Sequence, residues 1–280
     1  MKQQTSAITA MKEFSMYLAT EQDRSIYFEH HAGEGRPVVL VHGWGACTRC
    51  WDTTAPALSA AGHEVVSLDL RACGRSDKDF DDVSIDALAG DVVKLVDHLG
   101  LDRPVINGWS LGGGVATAAV AALGDRAGGL VLTGGASPRY TVADGWDHGG
   151  TVEGVAEVLA AAAANRADTF RGVAAAVCAK APSDDTLNWI WGMFMEMGPR
   201  GDESLRDLSH MDLRTELAAI DVPILSLHGT EDAFVPLSGA QAAVDLAKSA
   251  TLVEFPGVGH APFLEDRDRY LSELTGFLRA

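Results

Sequence analysis

The chain reads as an α/β protein: a doubly wound, mostly parallel sheet of eight strands, with a block of helices inserted after the sixth. Three observations predict it. Short apolar runs recur along the chain, longer helical stretches separate them, and this alternation breaks once, over residues 140–213. Strands covered by helices on both faces are near-continuously apolar, and their alternation with helices builds parallel sheets.

Taken in order, residues 14–19 and 25–29 alternate around the polar Glu21-Gln22-Asp23, which predicts an antiparallel hairpin. Residues 37–42, 64–69, 104–107, 130–133, 223–228 and 251–255 supply six further strands. Between them, residues 87–99 carry Leu88, Val92, Leu95, Val96 and Leu99 on one helical stripe, and residues 113–123 form an alanine-rich helix. Residues 140–213 contain no strand pattern but three helical stretches, at 151–164, 167–178 and 186–197. Connections longer than about 15 residues are uncommon as plain loops. This stretch is therefore a helical insertion covering one end of the sheet. The expected organisation is a core of residues 1–139 and 214–280 with a cap of residues 140–213; no internal repeat interrupts it.

Composition narrows the function classes. The chain's 280 residues, 47% of them hydrophobic, suffice for a sizeable core. With 22 basic against 39 acidic residues the net charge is −17, which repels phosphate backbones and anionic lipid. Nucleic acid and membrane are thus not expected partners, and a small-molecule substrate is. No apolar stretch reaches the ~18 residues of a membrane span, and residues 1–10 lack the apolar segment of a signal peptide, so the expected location is the cytoplasm. The four cysteines, Cys47, Cys50, Cys73 and Cys178, are too few for a disulfide framework in a chain this long.

The sharpest chemical signal is Gly108-Trp109-Ser110-Leu111-Gly112, between the strand at 104–107 and the small-residue helix at 113–123. This is G-x-S-x-G in its strand–turn–helix setting. A tight turn lifts the serine hydroxyl above the sheet, larger side chains two positions away would collide with neighbouring backbone, and the following helix points its amides at developing charge. A serine needs a base and an orienting acid. Of the nine histidines, His30, His31, His63 and His98 stand in polar or strand-edge contexts and are expected in solvent. His260 instead follows the last strand in the glycine-rich Phe255-Pro-Gly-Val-Gly-His260, at the sheet edge where open α/β folds bind ligands. The segment after the strand at 223–228 offers two acids, Glu231 and Asp232, whereas Thr133-Gly134-Gly135-Ala136-Ser137 offers none.

These motifs, with Val41-His42-Gly43-Trp44-Gly45 and Asp69-Leu-Arg-Ala-Cys-Gly-Arg-Ser76, resemble the α/β-hydrolase fold superfamily over nearly the whole chain, in its branch of small esterase-, lactonase- and perhydrolase-like enzymes. The resemblance implies Ser110 as nucleophile, His260 as general base and acid, and Asp232 rather than Glu231 as orienting carboxylate. It also implies an oxyanion hole from the backbone amides of Trp44 and Leu111, a structural role for His42, and no cofactor or metal. Relatives that cleave carbon–halogen bonds or epoxides need an aspartate where Ser110 stands, so acyl transfer is the implied chemistry: hydrolysis of a carboxylic ester or lactone. The same residues serve perhydrolysis or C–C bond hydrolysis, and a non-catalytic binding protein is the alternative from another class. One departure is Ala72, where the family pattern has glycine.

Cys47-Thr-Arg-Cys50 has the C-x-x-C spacing of redox or metal sites, but with no second pair it reads as small residues in a loop. Within the insertion, Trp189, Ile190, Trp191, Met193, Phe194, Met195 and Met197 make a helix apolar on most of its surface, which must be buried or face a ligand. The expected substrate contacts are Trp44, Trp109, Trp189, Met193 and Phe194, around an apolar substrate. Trp146 and His148, at the start of the insertion, have no placement from sequence.

Overall fold

The computed structural model describes residues 16–280 except Gln22. Eight strands form one sheet: β1 (Tyr17–Glu21), β2 (Arg24–His31), β3 (Gly35–Val41), β4 (His63–Leu68), β5 (Val105–Trp109), β6 (Gly129–Thr133), β7 (Ile224–Gly229) and β8 (Ala250–Phe255). Their spatial order is β1-β2-β4-β3-β5-β6-β7-β8. β2 pairs antiparallel with both β1 and β4, and every pairing from β4 to β8 is parallel. The continuously apolar runs are the central strands, β5 and β6, which are buried along their whole length. Edge strands β1 and β8 keep exposed positions. The expected hairpin is β1–β2; residues 14 and 15 of the expected first strand, and the N-terminal segment 1–10, lie outside the described residues.

Helices α1 (Ala55–Ala60), α2 (Ile85–Leu99) and α3 (Leu111–Leu123) connect the strands up to β6. The Ser84 hydroxyl caps α2 by accepting from the Ala87 amide, and Gly100 ends it in the left-handed conformation. Small residues let α3 sit close against the sheet, where it is buried on nearly every side. Four α-helices then fill the expected insertion: α4 (Val152–Ala164), α5 (Arg166–Ala176), α6 (Asp184–Met195) and α7 (Asp202–His210). Three match the expected stretches to within two residues. The fourth, α7, escaped the sequence reading; its signal is the pair Leu205 and Leu208, three apart on one buried face. Helices α8 (Arg214–Ala219), α9 (Leu237–Leu246), α10 (Pro262–Glu265) and α11 (Arg267–Arg279) complete the chain.

A buried ion pair locks the turn after β4 to α2: Arg71 Nε and Nη2 donate to the two carboxylate oxygens of Asp91 at 2.6 and 2.8 Å. His63, expected in solvent, is buried at the start of β4, with Nδ1 3.2 Å from the Arg36 carbonyl. Among the described residues no helix is long and apolar enough to cross a membrane.

Candidate active site

Ser110 is the single residue between β5 and α3, and it sits at φ 57°, ψ −124°. That conformation is strained for a residue with a side chain and persists only where its surroundings impose it. Here the backbone is pinned on both sides: the Ser110 amide donates to the Thr133 carbonyl at 3.2 Å, and the Ser110 carbonyl accepts from Ala136 and Gly113, each at 2.8 Å. The flanking glycines are obligatory. A Cβ on Gly108 would lie 2.0 Å from the Gly112 carbonyl oxygen, and one on Gly112 would lie 2.4 Å from that of Val41. The glycines of the motif therefore exist because helix, turn and strand touch backbone to backbone.

Two residues that line the same cavity as Ser110 have backbone amides unpaired among the described residues. Leu111 is the first residue of α3, so no helical carbonyl precedes it to accept its N–H. The Trp44 amide, in the turn after β3, likewise has no hydrogen-bond partner among the described residues. His42 braces that turn from within the protein. Its Nδ1 donates to the Gly43 carbonyl at 2.8 Å and its Nε2 accepts from the Leu70 amide at 2.9 Å. Both nitrogens are thus used, and burial holds the ring's pKa below its ordinary value.

The loops after β7 and β8 bring the other two residues together. His260 Nδ1 lies 2.7 Å from Asp232 Oδ2, and the aspartate side chain is fully buried. Asp232 Oδ1 accepts from the Phe234 and Val235 amides at 2.9 and 3.0 Å. Burial pushes this carboxyl up, but the His260 ring, the His228 ring and the Val235 amide outweigh it and hold the acid below the ordinary carboxylate range. Glu231, the alternative acid, points its residue to solvent. Gly134, at φ 48°, makes the approach possible: a Cβ there would meet the His260 carbonyl oxygen at 2.9 Å and Asp232 Oδ2 at 3.3 Å.

The histidine is held by its backbone. Its amide donates to the Val177 carbonyl at 2.8 Å, and its carbonyl accepts from Trp109 Nε1 at 2.9 Å. Because Nδ1 donates to Asp232, a neutral His260 presents a lone pair on Nε2. Behind the pair lies a residue not singled out from sequence. His228 is completely buried, its Nε2 is 2.8 Å from the Val235 carbonyl and 3.4 Å from Asp232 Oδ2, and burial holds its pKa down.

Ser110, Asp232 and His260 open on one cavity of about 440 Å³, which also exposes Trp44, Trp109, Leu111 and Phe194. Two expected contacts are not brought there. Met193 is buried in the core and Trp189 packs half-buried against it. At 100° per residue they sit well round α6 from Phe194, so one helix face cannot present all three. Trp146 and His148 stack edge-on against each other, 4.9 Å apart, away from the cavity lining. Cys47 is also off the cavity, and burial pushes its thiol up to about 12, leaving it protonated. The wall holds residues sequence reasoning passed over: Tyr140, Val155, Leu205, Leu208 and Phe234.

The sequence profile of the α/β-hydrolase fold family matches residues 36–267. The chain belongs to this family. It is 30% identical over 274 residues to a non-heme haloperoxidase from Rhodococcus erythropolis, covering 95% of this chain and 100% of the relative. It is 29% identical over 263 residues to the AB hydrolase superfamily protein YisY of Bacillus subtilis (strain 168), covering 93% and 98%. Among solved structures, the esterase EaEST from Exiguobacterium antarcticum superposes with a TM-score of 0.91 at 26% identity, covering 95% of this chain and 99% of that one. The protein is thus an enzyme of the hydrolase class.

Proposed function

We propose that this α/β-hydrolase is a serine hydrolase of carboxylic esters or lactones with a small, largely apolar substrate, working through an acyl-enzyme on Ser110. The observation that carries this reading is one geometry: a strained serine at a helix N-terminus shares a largely apolar cavity with a histidine whose Nδ1 is 2.7 Å from a buried aspartate. Similarity to the esterase from Exiguobacterium antarcticum adds support.

In the first half-reaction the Ser110 hydroxyl attacks the carbonyl carbon while His260 Nε2 takes its proton. The oxyanion is received by the Trp44 and Leu111 amides, and α3 contributes the positive end of its dipole. Asp232 fixes the histidine tautomer and stabilises the imidazolium. The tetrahedral species collapses as His260 protonates the leaving alcohol, and water, activated by the same nitrogen, then releases the acid. Every step draws on protein groups and water alone. In this reading residues 140–213 act as a cap on the core of residues 1–139 and 214–280. Trp44, Trp109 and Phe194 contact the substrate, and Trp189 and Met193 support the cap from behind.

A second reading has a specific support, the similarity to the Rhodococcus haloperoxidase. Hydrogen peroxide would replace water in attacking the acyl-enzyme, freeing Ser110 and releasing a peracid that oxidises halide. Peroxide-dependent halogenation in acetate buffer tests it. The primary reading is tested with p-nitrophenyl esters of increasing acyl length. We expect turnover of short and medium chains that Ser110→Ala reduces by at least about 10³-fold. Undiminished turnover in that variant, or none by folded wild type, would overturn it.

A further inference from the structure

The cavity wall is neutral as well as apolar. Among the described residues no lysine or arginine side chain lines it, and the one carboxylate there, Asp232, is engaged by His260 and two backbone amides. Most of its other polar side chains are occupied too. Trp109 Nε1 donates to the His260 carbonyl, and the Thr151 hydroxyl oxygen caps α4 by accepting the Gly154 amide at 3.0 Å, which leaves only its own O–H without an acceptor among the described residues. Trp44 Nε1 has no partner among the described residues but is sealed inside the protein.

Tyr140 differs from these. It lines the cavity, its hydroxyl has no hydrogen-bond partner among the described residues, and its oxygen is not sealed away. Burial, reinforced by the Asp232 charge, pushes the phenol up, so it stays a protonated donor across the neutral range. Its backbone is braced on both sides. Leu213 donates to the Pro138 carbonyl at 2.9 Å, and Arg139 holds the Thr141 and Met211 carbonyls at 3.0 and 3.2 Å. The Thr141 hydroxyl donates to Ser209 at 2.7 Å, and the Val142 amide to Gly150 at 2.9 Å. A donor on a braced segment beside the reacting groups, without a partner among the described residues and in a largely apolar wall, is placed to be used by something that enters.

We propose that Tyr140 is a specificity-determining residue, and that the substrate is an uncharged ester or lactone carrying a second acceptor oxygen, such as a ketone, amide or ether oxygen, which takes the Tyr140 hydrogen bond. This rests on the acyl-enzyme reading of Ser110 and narrows its substrate class. A site holding a positioned donor discriminates against substrates that leave it unpaired, because the donor loses its water on binding and gains nothing in return.

The test compares esters matched in shape but differing by one acceptor. On the acyl side the pair is p-nitrophenyl levulinate and p-nitrophenyl isocaproate; on the alcohol side it is acetonyl butyrate and isobutyl butyrate. The readout is the ratio of kcat/KM within each pair, for wild type and Tyr140→Phe, with Ser110→Ala as control. Comparing the variant's ratio with that of wild type cancels the intrinsic reactivity of the esters. We expect the oxo-to-alkyl ratio in at least one pair to fall about five- to tenfold in Tyr140→Phe. Unchanged ratios in both pairs would overturn the assignment of Tyr140 while leaving the Ser110 reading intact. Turnover persisting in Ser110→Ala would overturn that reading and this one with it. The melting temperature supplies an independent check. Because the hydroxyl bonds nothing among the described residues, Tyr140→Phe should melt within about a degree of wild type, and a fall of several degrees would mean that the hydroxyl serves the fold.

Discussion

Ala72 occupies a backbone conformation that favours glycine, φ 65°, in the turn that follows β4. Its neighbours impose it: the Ala72 amide donates to Asp77 at 3.0 Å, and its carbonyl accepts from Gly198 at 2.7 Å. An L-residue there costs about 1–2 kcal/mol. Ala72→Gly should therefore raise stability by about 0.5–1 kcal/mol after the added entropy of the unfolded chain is deducted. A shift of the urea midpoint to higher concentration checks this; a lower midpoint would mean that packing of the Ala72 methyl outweighs the strain. Asp232 makes a second residue-scale case. Its carboxyl is depressed in the folded protein, so its contribution to stability is present above the ordinary carboxylate pKa and lost as pH falls through the lowered folded value. Asp232→Asn should lower kcat by about 10³–10⁴-fold by failing to hold the histidine tautomer. Its stability deficit relative to wild type should narrow as pH falls below about 4, measured by urea unfolding across a pH series.

At the scale of elements, α6 separates packing from recognition. Phe194 faces the cavity and Met193 the core, one residue and 100° apart. Phe194→Ala should raise KM for apolar esters. Met193→Ala should instead cost about 2–5 kcal/mol of stability, the usual price of a buried cavity, with a smaller effect on KM. If the two variants exchange phenotypes, the phase of α6 is wrong. A second element-level device couples the helical segment to the histidine loop. Glu265, in α10, accepts from the Gly259 amide with Oε1 at 2.9 Å and from the Ala179 amide with Oε2 at 2.8 Å. It therefore clamps the residue before His260 to the connection between α5 and α6. Glu265→Ala leaves two donors unpaired and should lower both stability, by about 1–3 kcal/mol, and kcat, whereas Glu265→Gln retains one acceptor and should fall between. What the sequence made legible follows the same division. The serine announces itself because close backbone approach demands glycine at Gly108 and Gly112, and the histidine stands out in its glycine-rich loop after the last strand. The choice of Asp232 over Glu231, by contrast, comes from the family resemblance. The cavity wall does not announce itself. Tyr140, Val155, Leu205 and Phe234 come from four separate segments with no local signature, and the all-round apolar composition of α6 hides which side faces the substrate.

At the scale of the molecule, the alternation of strands and helices sufficed for the sheet, since each buried strand carries its own apolar run. Only α7, short and largely polar, was lost in the insertion. The net charge of −17 acts on the whole chain at once. Self-repulsion among so many carboxylates destabilises the compact state and is screened by salt. Raising sodium chloride from about 10 mM, where the Debye length is about 30 Å, to about 1 M, where it is about 3 Å, should raise Tm; a fall would mean that surface ion pairs matter more than repulsion. The account as a whole turns on Ser110 forming a covalent acyl-enzyme, and a fluorophosphonate probe tests that most directly. Intact-mass and peptide-mapping mass spectrometry should find one adduct per chain, on Ser110, slowed in Asp232→Asn and absent in Ser110→Ala. An adduct on another residue, or a folded wild-type protein that hydrolyses esters yet never labels at Ser110, would contradict it.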